Sequence, residues 1–269
     1  MALGRIGNAA ATAVLEPALA TVPESVRGAV AEGCVYCAEQ LLSSGDRAAA
    51  VSLYDKVRTA DVPKTRMLEA TRGAIIARGA DGIPLLVEQL ESADKALFGL
   101  GLFTARELSG ADVTAALVAQ LPNAAPERQA ALVQTLADRG DPGALRAVLE
   151  MAQSGPEAVR VTAIGVVPKL GDAACIPALL ELAAGDESAV AEAAKEALQT
   201  LPGETIDAEL AGRLAQARGK VRVALIEVVG QRRIVAAVPA LLTAADDTDM
   251  QVRAAALTAL GETVTAEEL

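Results

Sequence analysis

A period of about 31 residues constrains this chain more than any other feature. The segments Ile83-Pro84-Leu85-Leu86, Ile176-Pro177-Ala178-Leu179 and Val238-Pro239-Ala240-Leu241 place their prolines 93 and 62 positions apart, three and two times 31. Val-Arg pairs at Val159-Arg160, Val221-Arg222 and Val252-Arg253 are spaced 62 and 31. Gly79, Gly110, Gly140 and Gly171 follow at steps of 31, 30 and 31. A unit of this length is one supersecondary element that cannot bury its apolar face alone, so it must stack on copies of itself.

Each unit reads as two helices. From Gly155 to Ala184, Pro156 and Glu157 suit a helix start, and Val159, Ala163, Val166, Val167 and Leu170 recur at three- and four-residue steps. This is the A-type helix. Gly171-Asp172 breaks and recaps the chain, with Asp172 placed to accept from the free amides of the next helix. The following B-type helix carries the stripe Ile176, Leu179, Leu180 and Ala183. Pro177 falls in its first turn, where the backbone N–H has no intrahelical acceptor to lose.

The template predicts B-type helices near 8–20, 45–58, 80–91, 110–121, 141–153, 172–184, 205–217 and 234–245. A-type helices are expected near 24–43, 63–78, 92–108, 125–139, 156–170, 187–201, 219–231 and 248–260. No strand remains. The fold class is therefore all-α, a right-handed α-solenoid or superhelix of about eight antiparallel helical hairpins. It is read as one array over 1–269, irregular over 1–78 and regular over 79–269. Met1 to Gly7 resembles the end of an A-type helix and Thr265 to Leu269 the start of a B-type one, so the chain is expected to be a fragment of a longer array or multidomain protein.

Composition narrows the function. Hydrophobic residues make up 52% of the 269 positions, yet the aromatics are only Tyr36, Tyr54, Phe98 and Phe103. Ala, Leu, Val and Ile must fill the core, and stacking platforms for bases are absent beyond residue 103. The net charge is −11, from 24 basic and 35 acidic residues, which opposes a nucleic-acid partner and favours a basic one. Three cysteines cannot form a disulfide framework. No apolar run reaches the roughly 18 to 20 residues of a membrane span, so a soluble, by default cytoplasmic, chain is expected.

The run Glu157-Ala158-Val159-Arg160 through Leu170-Gly171-Asp172 to Ile176-Pro177-Ala178-Leu179-Leu180 resembles the short bacterial HEAT-like repeat also found in phycobilin lyases. Near the N-terminus, Gly45, Ala50, Tyr54 and Pro63 are similar to the pattern of a tetratricopeptide-like hairpin. The HEAT resemblance implies a ladder of turn Asp and following-helix base, for which Asp141 with Arg160 and Asp172 with Lys195 are the candidates. It also implies three functional classes: protein or peptide binding, lyase-type catalysis and nucleic-acid binding. Iron sites of HEAT-like enzymes use His-Glu motifs, and this chain has no His.

Candidate chemistry is sparse. Cys34-Val35-Tyr36-Cys37 has C-x-x-C spacing, but lies within an expected A-type helix with no second pair to complete a zinc tetrahedron, and reads as core thiols. Arg213, Arg218, Lys220, Arg222, Arg232 and Arg233 form a basic cluster interleaved with Glu209 and Glu227, read as solvated helix ends. Glu88, Glu150 and Glu181 occupy one register position on the B-type helices, with Thr243 in that place later. In HEAT-like solenoids these helices line the concave face, which makes the three glutamates the candidate binding groove. The expectation is a non-catalytic binding or scaffolding module of a larger bacterial protein, with no catalytic residue, metal or cofactor. Its partner would be a protein or peptide with a basic surface, and no nucleic acid.

Overall fold

A computed structural model describes residues 2–263, and among them every regular element is helical. The expected helix at Thr265 to Leu269 lies outside the described residues. In chain order the helices are α1 (Ala2–Ile6), α2 (Ala9–Thr21), α3 (Glu24–Ser43), α4 (Arg47–Thr59), α5 (Lys64–Arg78) and α6 (Ile83–Glu91). Then come α7 (Lys95–Glu107), α8 (Ala111–Gln120), α9 (Pro126–Arg139), α10 (Leu145–Ser154), α11 (Glu157–Leu170) and α12 (Ile176–Ala183). The series ends with α13 (Ser188–Thr200), α14 (Ile206–Arg213), α15 (Gly219–Gln231), α16 (Val238–Ala245) and α17 (Met250–Thr263). Even-numbered helices are the B-type set and odd-numbered ones the A-type set, each within a few residues of its expected place.

Two compact units, Met1–Gln120 and Leu121–Leu269, divide the chain, and the change of repeat character expected at residue 79 would fall inside the first. In the first unit α1, α3, α5 and α7 pack in succession, with α2, α4 and α6 each laid against the A-type helix that follows. In the second, α9, α11, α13, α15 and α17 pack in succession, with α10, α12, α14 and α16 against α11, α13, α15 and α17. Repeated antiparallel hairpins in this arrangement are an α-solenoid.

Local signals in the sequence act as expected. Asp172 accepts from the Ala174 amide at 2.9 Å, and Asp141, one period earlier, accepts from Gly143 at 2.9 Å. Pro84, Pro177 and Pro239 all sit in the first turn of their helices, after a short 3-10 turn that starts each of these three elements. At the end of α9, Gly140 takes a left-handed φ of 64°. Three periods later, after α15, that place belongs to Arg233 at φ 55°. Its amide bonds to the Gly230 carbonyl and the Ile234 amide to that of Val229, the paired bonds of a Schellman cap.

The core is aliphatic, as the composition requires. Val159, Ala163, Val166, Val167 and Leu170 of α11 and Ile176, Leu179, Leu180 and Ala183 of α12 are all buried, and Ile164 joins them. Tyr54 is the one fully enclosed aromatic; its ring lies where a Cβ on Gly73 would stand, so only glycine lets α4 and α5 meet there.

Inter-repeat burial shows most clearly at equivalent positions. Leu180 is 4% exposed under the next hairpin, whereas Leu242, two periods on, is 56% exposed. Ile226 is fully buried and Leu257, one period on, is 62% exposed. Truncating Leu180 to Ala should therefore cost about 2–5 kcal/mol, and truncating Leu242 to Ala no more than about 0.5 kcal/mol. Urea unfolding of the two variants measures the difference. Equal losses would show that the repeats do not cover one another in this register.

Candidate functional site

The proposed acidic row is exposed, and its members fall in different units. Glu88 lies on α6 in the first; Glu150 on α10 and Glu181 on α12 lie in the second. Glu150 makes an exposed pair with Arg146 at 3.1 Å, one helical turn away. Glu181 borders a cleft of about 260 Å³ with Pro177, Leu180, Arg213, Ala217 and Leu225. Thr243 turns its hydroxyl back to the Pro239 carbonyl at 3.0 Å.

The basic cluster is largely consumed by the fold. Arg213 pairs with Glu209 at 2.6 Å and Lys220 with Asp186, while Arg218 donates to the carbonyls of Ala215 and Ala217. Arg222 holds Asp247 at 2.5 Å. Arg232 pairs with Asp207 at 2.6 Å and also donates to the carbonyls of Leu198, Gln199 and Leu201. Those last bonds tie α15 to the end of α13, satisfying carbonyls the helix leaves free.

The expected Asp ladder needs correction. Arg160 reaches the Ala152 carbonyl at 3.1 Å and Glu187 at 2.6 Å, not Asp141, and Asp172 is occupied as a cap. Lys195 pairs with Glu192 at 2.6 Å and with Glu227 on α15 at 3.0 Å. Burial opposes its charge, but these two carboxylates outweigh it and raise its pKa. The reason is geometric: successive A-type helices lie side by side, so a residue faces the one a full period away. The same rule joins Lys169 to Asp138 at 3.3 Å and Arg72 to Glu107 at 2.7 Å. The Val-Arg motif has its explanation here too. Arg160 and Arg253 bond the carbonyls that precede their own helices, while Arg160 and Arg222 also take an acid from the next turn.

Both cysteines of the C-x-x-C pair are fully buried in α3, as is Cys175. The Cys37 sulfur lies 3.3 Å from the Thr12 hydroxyl. Burial, with Cys37 and Glu16 nearby, pushes the Cys34 thiol up from 9.0 to about 12. Burial raises the Tyr54 hydroxyl as well. A thiol held this way is a poor nucleophile and a poor metal ligand at neutral pH.

One surface escaped the sequence reading. On the A-type side of the first unit, α3 and α5 enclose a cleft of about 200 Å³ lined by Glu32, Tyr36, Glu39, Arg66, Glu69 and Arg72. Phe103 of α7 extends it, with the Arg72 guanidinium 5.8 Å from its ring centre. Arg66 bridges Glu32 at 3.1 Å and Glu69 at 2.7 Å. Partial burial, opposed by Arg72 and reinforced by Glu69, raises the Glu39 carboxyl above its ordinary value. The signal that could have found this surface was the clustering of all four aromatics before residue 104 in a chain otherwise without them.

Family models for HEAT repeats match residues 114–199 and 237–265. The class that the fold defines is thus an α-solenoid, and HEAT repeats are found in it. Human deoxyhypusine hydroxylase in complex with glycerol is similar at 18% identity and a TM-score of 0.41, over 82% of this chain and 98% of that one. A designed armadillo repeat protein is similar at 17% identity and a TM-score of 0.26, over 93% of this chain and 99% of its own. Another, in complex with the peptide (KR)4, gives 16% and 0.23, over 93% and 98%. Scores this low carry nothing about activity. No curated protein matches the chain. Among the described residues, no helix is long and apolar enough to cross a membrane, and no cluster of His, Cys, Asp or Glu suits a metal ion.

The raised thiol gives a pH dependence. Folded, Cys34 keeps its proton toward pH 12, whereas the unfolded chain releases it near 9, so the unfolded state binds fewer protons between these values. Stability should fall as pH rises above about 9, by up to about 1.4 kcal/mol per pH unit for this group. Urea midpoints from pH 7 to 10.5 should decline, and Cys34→Ala should make the decline shallower. A variant whose slope equals that of the wild type would contradict this.

Proposed function

We propose that the chain is a non-catalytic module that binds or scaffolds protein or peptide partners within a larger bacterial protein. The observation that carries this reading is the commitment of its polar chemistry to structure. Basic side chains fasten one repeat to the next, aspartates cap helices and the thiols are sealed in the core. What the repeats leave for other molecules is extended, exposed helix surface, and solenoids bind along such surface.

The glutamates at 88, 150 and 181 fit this reading as part of a face for a basic partner. Each is exposed and none is needed for the core. The lyase-type reading of the motif resemblance has no comparable support, since the clefts are lined mainly by Ala, Leu, Gln and paired charges.

Selection of a displayed library of random peptides on the immobilised full chain tests the proposal. Enriched sequences should share a motif, carry net positive charge and bind in solution with an affinity that falls as salt is raised. A library that yields no enriched family, or a purified protein that carries a visible-light chromophore, would overturn it.

A further inference from the structure

Two of the four aromatic side chains in this protein stand at the surface, on the A-type helices α3 and α7 that flank α5, with one arginine of α5 between them. Tyr36 on α3 is 38% exposed and Phe103 on α7 is 54% exposed. Arg72 on α5 lines the cleft beside Tyr36 and lies over the Phe103 ring. Exposed Tyr, Phe and Arg are the side chains enriched where proteins dock. No packing need explains them here, because the core elsewhere is filled by Ala, Leu, Val and Ile.

Charge identifies the occupant. Around the two rings stand four carboxylates, those of Glu32, Glu39, Glu69 and Glu107, against two guanidinium groups, those of Arg66 and Arg72. Both guanidinium groups are spent: Arg66 on Glu32 and Glu69, Arg72 on both oxygens of Glu107 at 2.8 and 2.9 Å. The Glu39 carboxylate forms no hydrogen bond or salt bridge among the described residues, its backbone carbonyl alone accepting from Ser43, and four carboxylates against two guanidinium groups leave two negative charges in excess. A partner cation seated in the cleft would meet Glu39 and the Tyr36 ring together, gaining ionic and cation–π attraction, while Phe103, already under Arg72, offers apolar contact alongside.

We infer that the face formed by Tyr36, Glu39, Arg72 and Phe103 is a docking surface for a lysine- or arginine-rich protein segment, with one basic side chain seated in the cleft between α3 and α5. The inference rests on the reading of the chain as a binding module, and it assigns the contact to the A-type helices of the first unit instead of the B-type glutamates. A nucleic acid is the wrong sign for this face.

The test uses the full chain and a fluorescein-labelled (Lys-Arg)4 peptide, followed by polarisation at low and at physiological salt, with (Glu-Asp)4 as the control. The basic peptide should bind, with affinity falling as salt rises, and the acidic one should not. The double variant Tyr36→Ala, Phe103→Ala should weaken binding by about tenfold or more, and Glu39→Lys should do so independently. All three positions are at the surface, so circular dichroism should be unchanged and the thermal midpoint should shift by no more than about 4–8 °C. The triple variant Glu88→Gln, Glu150→Gln, Glu181→Gln should bind within about twofold of wild type, since its side chains lie outside this face. Failure of the peptide to bind, or wild-type affinity in the double and Glu39→Lys variants, overturns the inference. Loss confined to the triple variant would overturn it too, while leaving the binding-module reading standing.

Discussion

The structure depends on one constraint: a hairpin of two helices of 8 to 20 residues cannot cover its own apolar stripe. Every hairpin must borrow cover from the next, and the aliphatic composition sets how closely it can do so. Gly230 of α15 meets Ala259 of α17 so tightly that an added Cβ would collide, and Gly4 of α1 meets Gly33 of α3 in the same way. Small residues at these crossings let backbones approach, and the core then fills with Leu, Ile and Val from both sides. Larger side chains at these two crossings would push the helices apart.

Charge follows the same geometry. Because A-type helices stack in succession, an ion pair between repeats joins residues about one period apart, as in Lys195 with Glu227. Exposed pairs of this kind contribute about 0–1 kcal/mol each. The less exposed ones act more as register pins than as a source of stability: Arg232, with its side chain 14% exposed, satisfies an acid and three carbonyls at once. Polar groups so committed are engaged in holding the stack together. Function is therefore to be sought in the groups the repeat leaves idle, such as Tyr36, Glu39 and Phe103.

Much of this was legible in the sequence because the period fixes which residues share a face. The stripe from Val159 to Leu170 and the cap at Asp172 need only local spacing to be read, and both are found in place. Partner choice was not legible. Whether Lys195 meets Asp172 or Glu227 depends on how neighbouring helices lie against each other, which spacing along one helix does not encode. The aligned glutamates were readable as exposed positions, but not as members of one groove, since register says nothing of the distance between separate units. Tyr36 was read only as one of four scarce aromatics and as part of a C-x-x-C segment. Its outward orientation follows from Cys34 and Cys37 turning inward on the same helix.

Carbodiimide coupling followed by mass spectrometry tests the central claim, that repeats stack in a fixed register of one period, because it joins only amines and carboxylates already in contact. The account predicts zero-length links from Lys64 to Asp94, Lys169 to Asp138, Lys195 to Glu227 and Lys220 to Asp186, separations of 30, 31, 32 and 34 residues. Links from these lysines to acids half a period or two periods away, with none at one period, would contradict it.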